Sequence, residues 1–179
     1  MSNSSTWPEL MTETLIAKAR AVFEALQRTD ERLALAESCT CGMLAASLGA
    51  IPGVSDRFCG SAVVYRESTK RALLSVDDQS LATHSAESEV VTHEMAQGVV
   101  QVSPETSLGL AITGHLGPNA PAALDGTVFL CLVRRQLAGE EQTQLLATET
   151  VRLNSAERPC RQIESATRAW DFLLRNIDL

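Results

Sequence analysis

Aromatic side chains are scarce, at 4 % of the chain, which leaves little flat surface on which nucleic-acid bases could stack. Positive charge is scarce too: 15 Lys and Arg stand against 22 Asp and Glu, a net charge of −7. A general grip on phosphate backbones needs clustered positive charge, so no nucleic-acid partner is expected, although a local anion site is compatible with this balance. No apolar run approaches the roughly 18 residues that span a bilayer. The opening MSNSSTWPEL has neither the basic n-region nor the apolar h-region of a signal peptide. The expectation is a soluble cytoplasmic protein with no membrane partner. H-x-x-H and H-E-x-x-H spacings are absent, and Cys39 and Cys41 are followed by no matching second pair, so no metal site is expected. The five cysteines cannot all pair with one another and are scattered, which reads as reduced, mostly buried thiols.

What is present is ordinary for a globular domain: 179 residues, 45 % apolar and 21 % charged. That length suits one domain and buries about 70 % of the unfolded surface, enough to fold without disulfide or metal. Residues 1–7 read as a flexible N-terminus and 8–179 as a single domain. Pro8 suits a first helical turn, and Leu15, Ala19, Val22, Phe23 and Leu26 follow helical spacing to an end near Arg28. Leu33–Ala36 reads as a buried strand, and Met43–Leu48 as a helix ended by Gly49 and the Ile51-Pro52-Gly53 turn. Ser61–Tyr65 reads as a second strand and Glu67–Leu74 as a short amphipathic helix. Ser88 is a plausible N-cap of a helix whose face is marked by Val91, Met95, Val99 and Val102. Ser107–Thr113, Gly126–Val133 and Gln144–Leu153 read as three more strands, and Ile163, Ala166, Trp170, Leu173 and Ile177 as the stripe of a last helix. Alternating helices and strands predict an α/β three-layer sandwich. The last three strands follow one another without a helix, so at least one is antiparallel and the sheet of about five strands is mixed, though mostly parallel.

Ligands in such sheets collect beyond the carboxyl ends of the strands, and three segments reach such an end. In Glu37–Gly42, Ser38 falls between a buried strand and a helix N-terminus, where free N–H groups favour a phosphate or an oxyanion. A nucleophile and a simple helix cap both fit that position, the cap being the commoner use. A serine hydroxyl needs a base. Lys70, in the first turn of a helix after a strand, is a candidate, because the positive helix end and burial both favour its neutral amine. Tyr65 at the strand end is placed to relay a proton or hold a substrate oxygen. Solvated helix surface and strand-edge aromatic are the plain alternatives for these two. Thr113–Pro118 offers a permissive backbone to wrap a phosphate or ribose, or is a plain loop between strands. His115 has no evident partner.

In chain order, these segments resemble the CinA C-terminal-domain family, the competence/damage-inducible family that includes nicotinamide mononucleotide deamidases. The resemblance runs through Ala36-Glu37-Ser38-Cys39-Thr40, Ile51–Ser55, Val64-Tyr65 with Lys70, Leu73–Val76, His84, Ser88-Glu89-Val90, Glu94–Ala96, Ala111–Gly114, Gly117-Pro118 and Gly126–Val128, and covers roughly residues 8–177. It implies a three-layer α/β/α fold, often as a homodimer. It also implies a small-molecule nucleotide substrate and cofactor-free, metal-free hydrolysis of the amide of nicotinamide mononucleotide, giving nicotinic acid mononucleotide and ammonia. By position it makes Ser38 the nucleophile and Tyr65 and Lys70 its base. It puts substrate contacts at Cys39, Thr40, Gly42, Thr113, Gly114 and Gly117, with Arg152, Arg158 and Arg161 as candidates for phosphate. The N-terminal molybdopterin-binding-like domain that some members carry, with its pyrophosphatase activity, is not expected in a chain of this length.

The chain departs from the family pattern in places. Cys41 stands where a glycine is usual, and Arg66-Glu67 follow Tyr65 in place of Ser-Asn. His115-Leu116 precede Gly117-Pro118, and Asn119-Ala120-Pro121 replaces a glycine cluster in a loop about two residues shorter by comparison with that pattern. Ala156-Glu157-Arg158 replaces Gly-Asp-Arg, and Gln162 takes the place of a second arginine. Three functions follow: a mononucleotide deamidase with a remodelled pocket, an amidohydrolase on a different amide, or a non-catalytic nucleotide-binding protein. Joint retention of Ser38, Tyr65 and Lys70 favours the enzymes.

Overall fold

Leu33-Ala34-Leu35-Ala36 alternates large and small apolar side chains, and in a strand such neighbours point to opposite faces. The computed structural model, which describes residues 7–136 and 143–178 with side chains from 13 onward, bears out that architecture. Strand β1 (Leu33–Glu37) is buried along its whole length. Leu33 and Leu35 pack with Leu108, Leu110, Ile112, Leu130 and Leu132 under helices α1 (Trp7–Thr29), α2 (Met43–Gly49) and α6 (Arg158–Asn176). Ala34 and Ala36 face the other way with Ala111, Cys131 and Val133, beneath α3 (Glu67–Leu74), α4 (Asp78–His84) and α5 (Glu89–Val102). The face of small side chains lets α5 lie close against β1, β3 (Leu108–Gly114) and β4 (Thr127–Arg135). Each fully buried leucine of the thicker face contributes roughly 1.5–3 kcal/mol of transfer free energy.

The sheet is completed by β2 (Phe58–Val63) and β5 (Thr143–Arg152), in the order β2-β1-β3-β4-β5. β1 pairs in parallel with β2 and β3, whereas β4 is antiparallel to both β3 and β5. The register aligns Glu37 with Val63 on one side and with Ile112 on the other, so three strands reach their carboxyl ends together. From there β1 feeds α2 on the leucine face and β2 feeds α3 on the alanine face. Adjacent strands whose chains leave to opposite faces open a crevice between their ends, the place where α/β sheets hold ligands.

The expected elements are present, with local differences. Helix α1 already includes Trp7; the expectation of a flexible start at residues 1–6 lies outside the described residues. β2 begins earlier than expected and ends at Val63, so Val64 and Tyr65 lie just past it, although the Val64 N–H still donates to Glu37 O at 2.8 Å. Val102, expected on the buried face of α5, is 64 % exposed because it is the last residue of that helix. Helix α4 was not expected: Leu81 is its only buried residue, so it shows no apolar stripe, and it is held by the Asp77 cap on Ser80 N. Among the described residues no helix is long and apolar enough to cross a membrane.

Candidate active site

Ser38 follows directly on the last residue of β1, and its own N–H is still held by the sheet, donating to Ile112 O at 3.1 Å. Its neighbour Glu37 carries the one charge of this strand and is fully buried. That carboxylate is saturated. Oε2 accepts from Thr40 Oγ1 (2.8 Å), Gly42 N (3.0 Å) and Leu44 N (3.1 Å), and Oε1 from Ala45 N (2.9 Å) and Ser61 Oγ (3.1 Å). Three of those donors are amides at the start of α2, where an anion is favoured by unpaired N–H groups and the helix dipole. Glu37 therefore fills the anion position that the sequence leaves open for a ligand, and it fixes the turn carrying Ser38. The turn is tight: Cys41 and Gly42 have φ of 51° and 91°. Left-handed backbone costs nothing at Gly42 but of order 1–2 kcal/mol at a residue with a β-carbon such as Cys41.

Lys70, in the first turn of α3, reaches Ser38 from the other side of the crevice. Its Nζ lies 3.1 Å from Ser38 Oγ and 3.0 Å from Val64 O. Lys70 is completely buried and Ser38 nearly so. Burial lowers the lysine pKa below its ordinary value, and the charges of Glu87 and Glu67 offset only part of that effect. A neutral amine in this position donates one N–H to Val64 O and turns its lone pair toward the serine hydroxyl, the geometry of a base poised to take its proton. Cys39, next to the serine, is not a competing nucleophile. Its side chain lies in the leucine-face core, and burial pushes the thiol up to about 12.

The residues expected at the site separate into those the structure brings to the serine and those it uses elsewhere. Gly42 N–H is taken by Glu37 and the Thr40 hydroxyl donates to the same carboxylate. The Cys41 and Met43 amides donate to Ser38 O and Thr40 O. The N–H groups of Cys39 and Thr40 have no partner among the described residues and are the donors left for an oxyanion. Tyr65 does not bond to Lys70 or Ser38. It is 51 % exposed, and its hydroxyl accepts from Arg158 Nη2 at 2.9 Å. Lys70 takes its second partner from the Val64 carbonyl instead, so no hydrogen bond places Tyr65 as a proton relay. Thr113 is buried against α5, its hydroxyl 2.7 Å from that of Thr92. Gly114 is required by packing, since a β-carbon there would come within 2.5 Å of Val128.

The segment 115–126 forms the far wall. Arg158 and Arg161, in the first turn of α6, hold it in two ways. Arg161 makes a two-pronged pair with Asp125 (2.8 Å on each side), and its Nε donates to Ser155 O. The guanidinium holds the Asp125 carboxyl below the usual carboxylate range, and Arg161 is committed to that pair. Arg152 donates to Ala123 O and Thr127 Oγ1. Arg158 donates to Gly117 O and the Tyr65 hydroxyl, both neutral, so its charge has no counter-ion among the described residues. Gly117, with φ of 66°, sits against the Arg161–Asp125 pair. A cavity of about 550 Å³ lies between this segment and Glu87, with His115, Leu124 and Arg158 in its lining. A second of about 550 Å³, lined by Tyr65, Arg66, Glu67 and Glu87, lies beside it. Gln162 Nε2 donates to Cys39 O at 3.2 Å, tying α6 to the serine turn.

Glu37, Glu87 and Gln162 were not singled out in the sequence as site residues. Glu37 carries a signal in the sequence as a charge ending an apolar strand, and Gln162 only as a replacement for an arginine of the family pattern; Glu87 carries none. Among the described residues no cluster of three or more His, Cys, Asp or Glu side chains is placed to hold a metal ion.

Comparison with known proteins places this geometry in context. Residues 16–175 match the model of the CinA C-terminal domain. A CinA-like protein of Myxococcus xanthus is 43 % identical over 118 residues, covering 65 % of this chain and 28 % of that protein. A CinA-like protein of Gloeobacter violaceus is 39 % identical over 166 residues, 92 % of this chain and 37 % of its own length. The chain thus spans about a third of the length of these curated relatives. The crystal structure of the competence damage-inducible protein A of Klebsiella pneumoniae superposes with a TM-score of 0.81 at 26 % identity, covering 92 % of this chain and 97 % of that one.

Proposed function

The chain belongs to the CinA C-terminal-domain family, and we propose that it is an amidohydrolase acting through a serine–lysine pair, with nicotinamide mononucleotide as substrate. The observation that carries this reading is the buried contact of 3.1 Å between Lys70 Nζ and Ser38 Oγ, in a lysine whose burial favours the neutral amine. Lys70 takes the hydroxyl proton as Ser38 Oγ attacks the carboxamide carbon. The carbonyl oxygen becomes an oxyanion held by the Cys39 and Thr40 N–H groups. Collapse of the tetrahedral intermediate breaks the carbon–nitrogen bond, and Lys70 returns its proton to the departing nitrogen, releasing ammonia. Water then attacks the acyl-serine ester, Lys70 takes a proton from it, and that proton goes back to Ser38 Oγ as nicotinic acid mononucleotide leaves. Arg158, at the N-terminus of the long helix α6 and without a counter-ion among the described residues, holds the phosphate.

A second reading, hydrolysis of a different amide by the same pair, is favoured by the Arg161–Asp125 pair, which removes one candidate phosphate ligand from the wall. Ammonia release from a panel of amides by wild type and Ser38→Ala separates the two. Release from the mononucleotide, abolished in Ser38→Ala, supports the deamidase. Release only from other amides supports the second reading. Release that persists in Ser38→Ala rules out the serine mechanism.

A further inference from the structure

We propose that Glu87 reads the charge of the substrate's ring: its carboxylate is the counter-ion for a cationic, amide-bearing heteroaromatic ring whose anionic group is held by Arg158. The inference rests on the amidohydrolase reading above and assigns to Glu87 the recognition of the positive ring of that reading's substrate.

Glu87 lies in the short connection between α4 and α5, partly buried, and it lines both cavities, one of them together with Tyr65 and the other together with Arg158. The other carboxylates buried or partly buried around the site are engaged: Glu37 by the serine turn, Glu94 by Asp77 N and Ser80, and Glu164 by Asn154 and Ser155. The Glu87 carboxylate makes no hydrogen bond or ion pair among the described residues. Holding an unpaired carboxylate partly out of water is unfavourable, a cost that a cationic ligand removes. Its charge also opposes the lowering effect of burial on the Lys70 pKa.

Arg158 lines the same cavity and bears the opposite charge, yet it bonds to Gly117 O and Tyr65 rather than to Glu87. The two charges are thus held apart across one opening, with the half-exposed ring of Tyr65 beside them as a flat surface. A neutral amide gains nothing from Glu87. A cationic ring a few ångströms from it gains of order 1–2 kcal/mol in a partly screened site, a preference of roughly tenfold.

The test is calorimetric titration of the Ser38→Ala protein, which binds without turning over, with and without Glu87→Gln. The ligands are nicotinamide mononucleotide and its ring-reduced form, which keeps the amide and phosphate but has a neutral ring. The expected result is a preference of roughly tenfold for the cationic form in the parent and a ratio near one in Glu87→Gln, through weaker binding of the cationic form alone. A ratio unchanged by Glu87→Gln, equal weakening of both forms, or no preference in the parent overturns the proposal. Ammonia release by the chain with Ser38 intact is scored separately. If it is absent while the preference collapses as expected, the deamidase reading fails and the role of Glu87 stands. If ammonia is released and the ratio ignores Glu87, the proposal alone fails.

Discussion

The two walls of the crevice are built differently. The wall made by β1, the turn to α2, and Lys70 is sealed: Glu37, Ser38 and Lys70 are almost wholly buried, and five donors converge on a single carboxylate. The wall made by residues 115–126 and the start of α6 borders an open cavity, and it is held by arginines bonded to backbone carbonyls and one aspartate. A group that must be a neutral base at ordinary pH needs burial, because water would keep it protonated. A group that must meet a phosphate needs to keep both its charge and its exposure. The sealed wall suits bond making, and the open wall suits choice of substrate.

The sharpest way to break this contrast is to remove the chemistry while leaving the fold. Ser38→Ala and Lys70→Met are each expected to lower kcat for amide hydrolysis by about 10³-fold or more, with KM little changed. Lys70→Met relieves the burial of a chargeable amine but leaves Val64 O and Ser38 Oγ without their partner, so the two effects oppose each other and the thermal midpoint at neutral pH should move little. The sign of the pH effect follows from the lowered pKa. Between the folded value and the ordinary lysine value near 10.5, the unfolded chain binds the proton that the folded chain has given up. Stability from this group therefore rises with pH across that window. The stability of wild type relative to Lys70→Met should climb as pH rises from the folded value toward the ordinary lysine value, as read by denaturant unfolding. A flat difference would mean that Lys70 keeps its ordinary value.

Glu37→Gln asks whether the sealed wall depends on its carboxylate. An amide nitrogen cannot accept, so at least one buried N–H loses its partner, at a cost of about 3 kcal/mol. For a chain of this size that lowers the thermal midpoint by on the order of 10 °C, and activity falls as the serine turn loosens. On the open wall, Arg158→Gln should raise KM for a phosphate-bearing amide by roughly tenfold with kcat within about twofold, the signature of lost uniform binding. A fall in kcat equal to that of Lys70→Met would place Arg158 in the chemistry and erase the distinction between the walls. The smallest effect is expected at Cys41→Gly, which relieves left-handed backbone at a residue with a β-carbon and should stabilise the fold by about 1 kcal/mol.

How far the site was legible in the sequence follows the same division. Ser38, Lys70 and the helix starting at Glu67 were readable because their signals are local: an apolar strand cut short by a polar turn, and a lysine one turn into the next helix. Their meeting followed from parallel pairing of adjacent strands. The use of Gly42 N–H by Glu37 was not legible, since a charge ending a strand announces itself but not its partners. Nor was the Arg161–Asp125 pair, which joins residues 36 positions apart, or the bond between Arg158 and Tyr65 across 93. Helix α4 escaped because its support is an Asp77 cap and Glu94 on a different helix, not an apolar stripe.

The most direct measurement is rapid-quench intact-mass analysis of the protein mixed with nicotinamide mononucleotide, with ammonia counted in the same samples. The account predicts one acyl group per chain, mapped to Ser38, appearing together with one equivalent of ammonia and absent from Ser38→Ala and Lys70→Met. Ammonia released without an adduct, or an adduct on Cys39 or Cys41, would contradict it.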